Sequence, residues 1–194
     1  MSRPGPRAPH AVCVGGPPGA GKSTLGVELA SALGAALLDQ DTVTNPLLQA
    51  FCERDGAPFD LDSPLVRSLR EARYRCVLET AADNAGAGVS SVVVAPFTAE
   101  GRDSAGWYAA AALAVPAAAH LVWLTVDAAT AAARRQARSL ARDRGVDDAG
   151  GTGRHTAPAH ACLTLDGTAP AMANVAAILD HLQRQPEPGK ETRR

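Results

Sequence analysis

Between Val12 and Leu25 the chain reads VCVGGPPGAGKSTL. No other stretch limits the fold as tightly. The apolar run Ala11–Gly15 has the character of a buried strand, and it empties into Gly16-Pro17-Pro18-Gly19-Ala20-Gly21 before Lys22 and Ser23. From Lys22 to Leu33, the residues Leu25, Leu29 and Leu33 recur four apart on one helical face, and Gly34 is placed to stop the helix. Strand, glycine-rich turn and helix in that order fit GxxxxGK[ST], the phosphate loop. Glycines let the backbone curl so that successive N–H groups point inward at phosphate oxygens. The helix start adds its positive dipole end. A plain turn would need neither a lysine nor a hydroxyl at these positions. Gly16, Gly19, Ala20, Gly21, Lys22, Ser23 and Thr24 are therefore candidates for holding a nucleoside triphosphate, with Ser23 a candidate ligand of Mg²⁺.

The rest of the chain alternates in the same way. Ala35–Leu38 reads as a second strand and residues 45–51 as a short helix. Ser63 and Pro64 open a longer helix to about Asn84, with Leu65, Leu69, Ala72 and Cys76 as its apolar stripe. Ser91–Ala95 is a β-branched strand, and a helix capped by Asp103 or Ser104 ends before Pro116. His120–Val126 is the fourth strand, and a helix runs from Asp127 or Thr130 to about Arg144. Ala161–Leu165 is the last strand and Ala171–Leu182 the last helix. Such alternation predicts an α/β fold with a five-stranded, mostly parallel sheet. At 194 residues the chain predicts one domain over 11–183, with polar, proline-rich ends at 1–10 and 184–194.

Composition removes several function classes. The formal net charge of -1 argues against a surface built for long nucleic acid. No apolar run reaches the roughly 20 residues that span a bilayer, so no membrane association is expected. Cys13, Cys52, Cys76 and Cys162 form no CxxC, and no Cys/His pair has zinc spacing. Cys13 is expected as a buried thiol. The N-terminus lacks the apolar core of a signal peptide. Together these predict a cytoplasmic location.

GGPPGAGKST followed by LLDQDTVTNPL resembles the P-loop kinases of small molecules: gluconate kinases, chloramphenicol phosphotransferase and the AAA-type predicted kinases. The 5′-kinase domain of polynucleotide kinases is similar too. The resemblance covers about residues 11–183 and implies the three-layer P-loop NTPase fold with a small lid, here about 138–160. It implies an ATP-dependent phosphotransferase that uses ATP and Mg²⁺ and acts on a hydroxyl of a small molecule. A nucleotide-dependent regulatory NTPase and a polynucleotide 5′-kinase are the other readings. Oligomeric state is left open, a homodimer included.

In such kinases an Asp shortly after the second strand takes the proton of the attacking hydroxyl. Asp41 matches that place best, 19 residues after Lys22. Asp39 is the second choice, and its other reading is to hold magnesium through water. The strand Ser91–Ala95 ends in Ala95-Pro96 where many P-loop proteins have an Asp, which makes an Asp near strand two more important. Arg134, Arg138 and Arg142 fall at i, i+4 and i+8 on one helical face. Like charges at that spacing repel by about 0.2–0.5 kcal/mol per pair, so the face wants an anion. The resemblance gives Arg138 and Arg142 the lid role of closing over the phosphates, with Arg134 less clearly placed. Arg102, Arg67 and Tyr74 are candidates for contacting the acceptor, as is Asp41; Arg67, Glu71 and Tyr74 share the face opposite the apolar stripe. Leu165–Pro170 resembles the loop near the adenine in these enzymes.

Overall fold

The computed structural model describes residues 8–98, 104–114, 119–138, 158 and 162–185. Five strands form one sheet: β1 (Ala11–Gly15), β2 (Ala36–Asp39), β3 (Ser91–Val94), β4 (Ala119–Thr125) and β5 (Leu163–Asp166). Their spatial order is β2-β3-β1-β4-β5, and every pairing is parallel. The helices are α1 (Lys22–Leu33), α2 (Gln40–Arg54), α3 (Pro64–Ser68), α4 (Arg70–Gly86), α5 (Ser104–Ala114), α6 (Ala128–Arg138) and α7 (Ala171–Arg184).

Parallel strands covered on both faces read as continuous apolar runs rather than alternating ones, and the three central strands do so. Their side chains still alternate in direction. Cys13, Val93, Leu121 and Trp123 point to one face, where they meet Tyr74, Val77, Leu78 and Ala81 of α4 and Trp107 of α5. Val12, Val14, Val92, Val94, Val122 and Leu124 point to the other, against Leu25 and Leu29 of α1 and Val175 and Ile178 of α7. Two layers of helices therefore enclose the sheet. Leu25 and Leu29 are fully buried, a gain of about 1.5–3 kcal/mol each. Cys13 is also fully buried, and burial pushes its thiol up to about 12, so it stays a protonated apolar side chain.

Three expectations need correction. First, the helix from Pro64 is broken at Leu69, which joins α3 to α4. Second, its buried side is not Leu65, Leu69, Ala72 and Cys76. Val66, Tyr74, Val77, Leu78 and Ala81 are buried, while Leu65 and Cys76 are exposed. The break resets the helical phase, and the Tyr74 and Phe97 rings then pack edge to face at 5.4 Å. Third, the short helix expected at 45–51 is the middle of α2, which begins at Gln40 because Asp39 caps it and passes through Pro46. Strand ends also shift by one or two residues.

Candidate active site

The sheet brings the ends of β1, β2 and β3 side by side, with the loops that follow them on one edge. In open α/β sheets that edge, outside the carboxyl ends of the strands, is where ligands bind.

After β1 the chain turns through the phosphate loop. Gly16 has φ 141°, and a Cβ there would stand 2.6 Å from the Leu124 carbonyl oxygen, so only glycine fits. Gly19 and Gly21 also have positive φ. The Ala20 N–H closes the turn on the Pro17 carbonyl at 3.2 Å. Lys22 Nζ donates to the carbonyls of Gly16 and Pro17, both at 2.9 Å. These two bonds hold the ammonium at the lip of the loop. Ala20 is wholly buried, and Thr24 follows Ser23 in the first turn of α1 as an exposed residue.

Arg134 ties this loop to its neighbour across the sheet. Its Nη1 donates to the Gly19 carbonyl at 3.2 Å and to the Gly167 carbonyl at 2.9 Å. Gly167 belongs to the turn after β5. Asp166 shapes that turn by accepting from the Thr168 N–H and hydroxyl at 2.7 Å, and these bonds lower its pKa. A Cβ on Gly167 would fall 2.2 Å from the Ala20 carbonyl oxygen. The segment 165–170 is thus pressed against the phosphate loop.

After β2, Asp39 divides its two oxygens. Oδ1 accepts from the backbone N–H groups of Asp41 and Thr42, at 3.0 and 3.4 Å, which caps α2. Oδ2 accepts from the Ser23 hydroxyl at 2.9 Å. Ser23 and Asp39 therefore form one cluster of hard oxygen donors beside Lys22, a set that suits Mg²⁺. Among the described residues no group of three or more His, Cys, Asp or Glu could hold a metal ion alone. A magnesium ion here would depend on Ser23, Asp39, water and the phosphates themselves.

Asp41, in the first turn of α2, is held differently. Arg73 Nη2 donates to Asp41 Oδ1 at 2.9 Å. The same guanidinium reaches Thr44 Oγ1 through Nε and Asn45 Oδ1 through Nη2, each at 2.9 Å. Only 13% of the Arg73 side chain is exposed, against 29% of Asp41. A largely buried arginine from α4 thus fixes the start of α2.

After β3 the chain runs Ala95-Pro96-Phe97. Phe97 has φ 49°, a left-handed conformation that is strained for a bulky residue. The Pro96 carbonyl accepts from the Gly16 N–H at 3.2 Å. The Phe97 N–H donates to the Tyr74 hydroxyl at 2.8 Å. Tyr74 is 5% exposed, so this N–H finds its partner inside the protein.

A cavity of about 500 Å³ joins these parts. Its lining includes Gly19, Gly21, Lys22 and Ser23 of the phosphate loop, Asp39, Gln40 and Asp41 after β2, and a wall of Asp62, Val66, Arg67, Arg70, Arg73 and Tyr74. Of the residues expected to face an acceptor, Asp41, Arg67 and Tyr74 line this cavity. Arg67 pairs with Asp62 at 3.0 Å. Tyr74 belongs to the buried face rather than the solvent face. Arg102, Arg142 and the side chain of Arg138 lie outside the described residues, as does most of the segment 138–160.

Sequence reasoning passed over Arg70, Arg73 and Gln40. The arginines had a visible signal, since Arg67, Arg70 and Arg73 recur every three residues. Gln40 had none, because its burial comes from the early start of α2.

The AAA domain family matches residues 12–150. No curated protein sequence matches the chain. Among solved structures, a sugar kinase from Janibacter sp. HTCC2649 shares 19% identity, with a TM-score of 0.66, over 92% of this chain and 96% of that one. A gluconokinase from Sinorhizobium meliloti 1021 shares 20% at a TM-score of 0.55, over 92% and 94%. The APS kinase CysC of Mycobacterium tuberculosis, in complex with AMPPNP and APS, shares 17% at 0.59, over 92% and 99%. At these identities the likeness establishes the fold, which is that of the P-loop kinases. With its phosphate loop at the sheet edge and a family match spanning well over half of its length, the chain belongs to the AAA domain family.

Proposed function

We propose that the protein is an ATP-dependent phosphotransferase that moves the γ-phosphoryl group to a hydroxyl of a small molecule. One observation carries this reading. A single cavity is lined by the phosphate loop, by Asp41 and by side chains of α3 and α4. A donor site and an acceptor site that share one cavity with a carboxylate suit group transfer.

Each residue then has a task. The loop amides and Lys22 take the triphosphate tail. Ser23 and Asp39 hold Mg²⁺, which when bound offsets the charge on the phosphates. Asp41 takes the proton of the acceptor hydroxyl as its oxygen bonds to the γ-phosphorus. The bond from that phosphorus to the β–γ bridging oxygen breaks, and ADP leaves with the electron pair. Arg73 is a positioning residue that fixes the Asp41 carboxylate. The two aspartates are thus given different work, Asp39 on the metal side and Asp41 on the acceptor side. Arg138 and Arg142 keep the proposed lid role, and Arg102 a proposed acceptor contact. The structural kinship with a sugar kinase and a gluconokinase supports a small hydroxylated acceptor.

The test is a transfer assay with γ-labelled ATP and metabolite pools, run on the parent and on Asp41→Asn. Label appearing in a small molecule with the parent, and lost with the variant, is expected. Steady ATP hydrolysis with no labelled acceptor would overturn the reading in favour of a regulatory NTPase. Labelled oligonucleotide ends would favour a polynucleotide kinase.

A further inference from the structure

We propose that the acceptor carries an anionic group, a carboxylate or a phosphate, besides the hydroxyl that is phosphorylated, and that Arg70, with Arg67, grips it at the α3–α4 wall. The inference rests on the kinase reading and names the substrate class of the same site.

Arg67, Arg70 and Arg73 stand on the cavity wall at intervals of three residues. Their charges are committed to different degrees. Arg73 is mostly buried and makes three bonds within the fold, to Asp41, Thr44 and Asn45. Arg67 pairs with Asp62, but 61% of the Arg67 side chain and 34% of Asp62 are exposed. An exposed pair of this kind is worth only about 0–1 kcal/mol and exchanges readily for a better partner.

Arg70 is exposed, yet its position is defined. Its guanidinium carbon lies 4.7 Å from the centroid of the Tyr74 ring. Its Nη2 is 3.5 Å from the Tyr74 hydroxyl. Tyr74 cannot drift, because its ring packs on Phe97 and its hydroxyl takes the Phe97 N–H. A planar cation held over a fixed ring is preorganised for a carboxylate or phosphate, whose paired oxygens match the guanidinium fork.

Among the described residues, the carboxylates that line the cavity are already engaged: Asp39 by Ser23 and the α2 cap, Asp41 by Arg73, Asp62 by Arg67. What this wall offers a ligand is hydrogen-bond donors and positive charge. An oxygen-rich anion fits it, and a neutral apolar alcohol does not.

The test uses the full chain with its nucleotide site saturated by a non-hydrolysable ATP analogue and Mg²⁺. Calorimetry then compares matched probes: glycerate against glycerol, gluconate against glucitol, and glycerol 3-phosphate against glycerol. The carboxylate and phosphate arms separate the two sources of negative charge. In at least one pair the anion is expected to bind tenfold or more tightly than its neutral partner. Arg70→Gln should abolish that preference, while Arg70→Lys keeps part of it; Arg70 is exposed, so neither change threatens the fold. No anion preference in any pair, or a preference unmoved by Arg70→Gln, overturns the inference while leaving the kinase reading intact. Failure of the ATP analogue to bind overturns the reading beneath both.

Discussion

The Asp41 carboxylate is anchored by Arg73, which reaches it from α4 across 2.9 Å while also holding Thr44 and Asn45. The first turn of α2 is therefore positioned by a side chain from another layer of the fold. If Asp41 accepts the proton, removing Arg73 should disturb its aim more than its existence. Arg73→Met is expected to lower kcat by tenfold or more with little change in ATP binding, and Asp41→Asn to lower it by about 10²–10⁴. Steady-state kinetics that resolve kcat from the KM for ATP will show this. A purely structural arginine would instead lower Tm and the amount of active enzyme, leaving kcat per active site unchanged.

Lys22 stands at the lip of the phosphate loop on two carbonyl bonds. Lys22→Met keeps most of the stem and removes the charge. Calorimetric titration with ATP and Mg²⁺ is expected to show tenfold or weaker binding than for the parent. Equal affinity in the two proteins would mean that the loop does not hold the phosphates.

The contact between Gly167 and the phosphate loop makes a sharper claim. Gly167→Ala sets a methyl group 2.2 Å from the Ala20 carbonyl oxygen, so one of the two backbones must move. ATP affinity should fall several-fold although residue 167 carries no functional group. The Tm is expected to drop as well, by about 2–4 °C for each kcal/mol of strain that the fold absorbs. An unchanged affinity would separate the turn after β5 from the nucleotide.

Removing the Tyr74 hydroxyl leaves the Phe97 N–H buried without its acceptor. Tyr74→Phe should cost about 1–3 kcal/mol, read as a lower Tm in a thermal melt. The variant should also weaken selection of the acceptor: the ring under Arg70 remains, but the hydroxyl 3.5 Å from Arg70 Nη2 and the Phe97 N–H bond that fixes the ring are lost.

At the opposite end of the strands, His10 Nδ1 lies 3.2 Å from His120 Nε2, and His181 stacks edge-on to His120. Burial, followed by the neighbouring His10 and His181, pushes the His120 pKa down from 6.5 to about 4. The unfolded chain therefore binds this proton first as pH falls. Stability should be full above about pH 6.5 and should decline as the pH drops toward 4. Chemical denaturation at intervals across that range will show the slope, and His120→Asn should flatten it.

Much of this architecture could be read in the residues. The phosphate loop, α1 with its Gly34 stop, the parallel sheet and the two candidate aspartates all rest on local signals: glycine spacing, leucine periodicity, valine runs. What the local signals missed was decided by distant partners. The phase of α4 was misjudged because Leu69 looks like a helical core residue, whereas the chain breaks there and Tyr74 turns in toward Phe97. Arg73 could have been noticed for its spacing, but no pattern in the sequence says that it crosses to Asp41. The early start of α2 follows from a cap on Asp39 that also serves Ser23, two tasks for one carboxylate.

Pro96 and Phe97 are joined by a single peptide bond, yet one receives the first amide of the phosphate loop and the other delivers its own amide to α4. The spacing between the phosphate loop and the α4 wall of the cavity is thereby set by one short link. Substitutions that reshape the far wall can alter which molecule is chosen without resetting that spacing. On the proposed kinase reading, lengthening or shortening the chain between Ala95 and Thr98 would instead slow transfer to every acceptor alike.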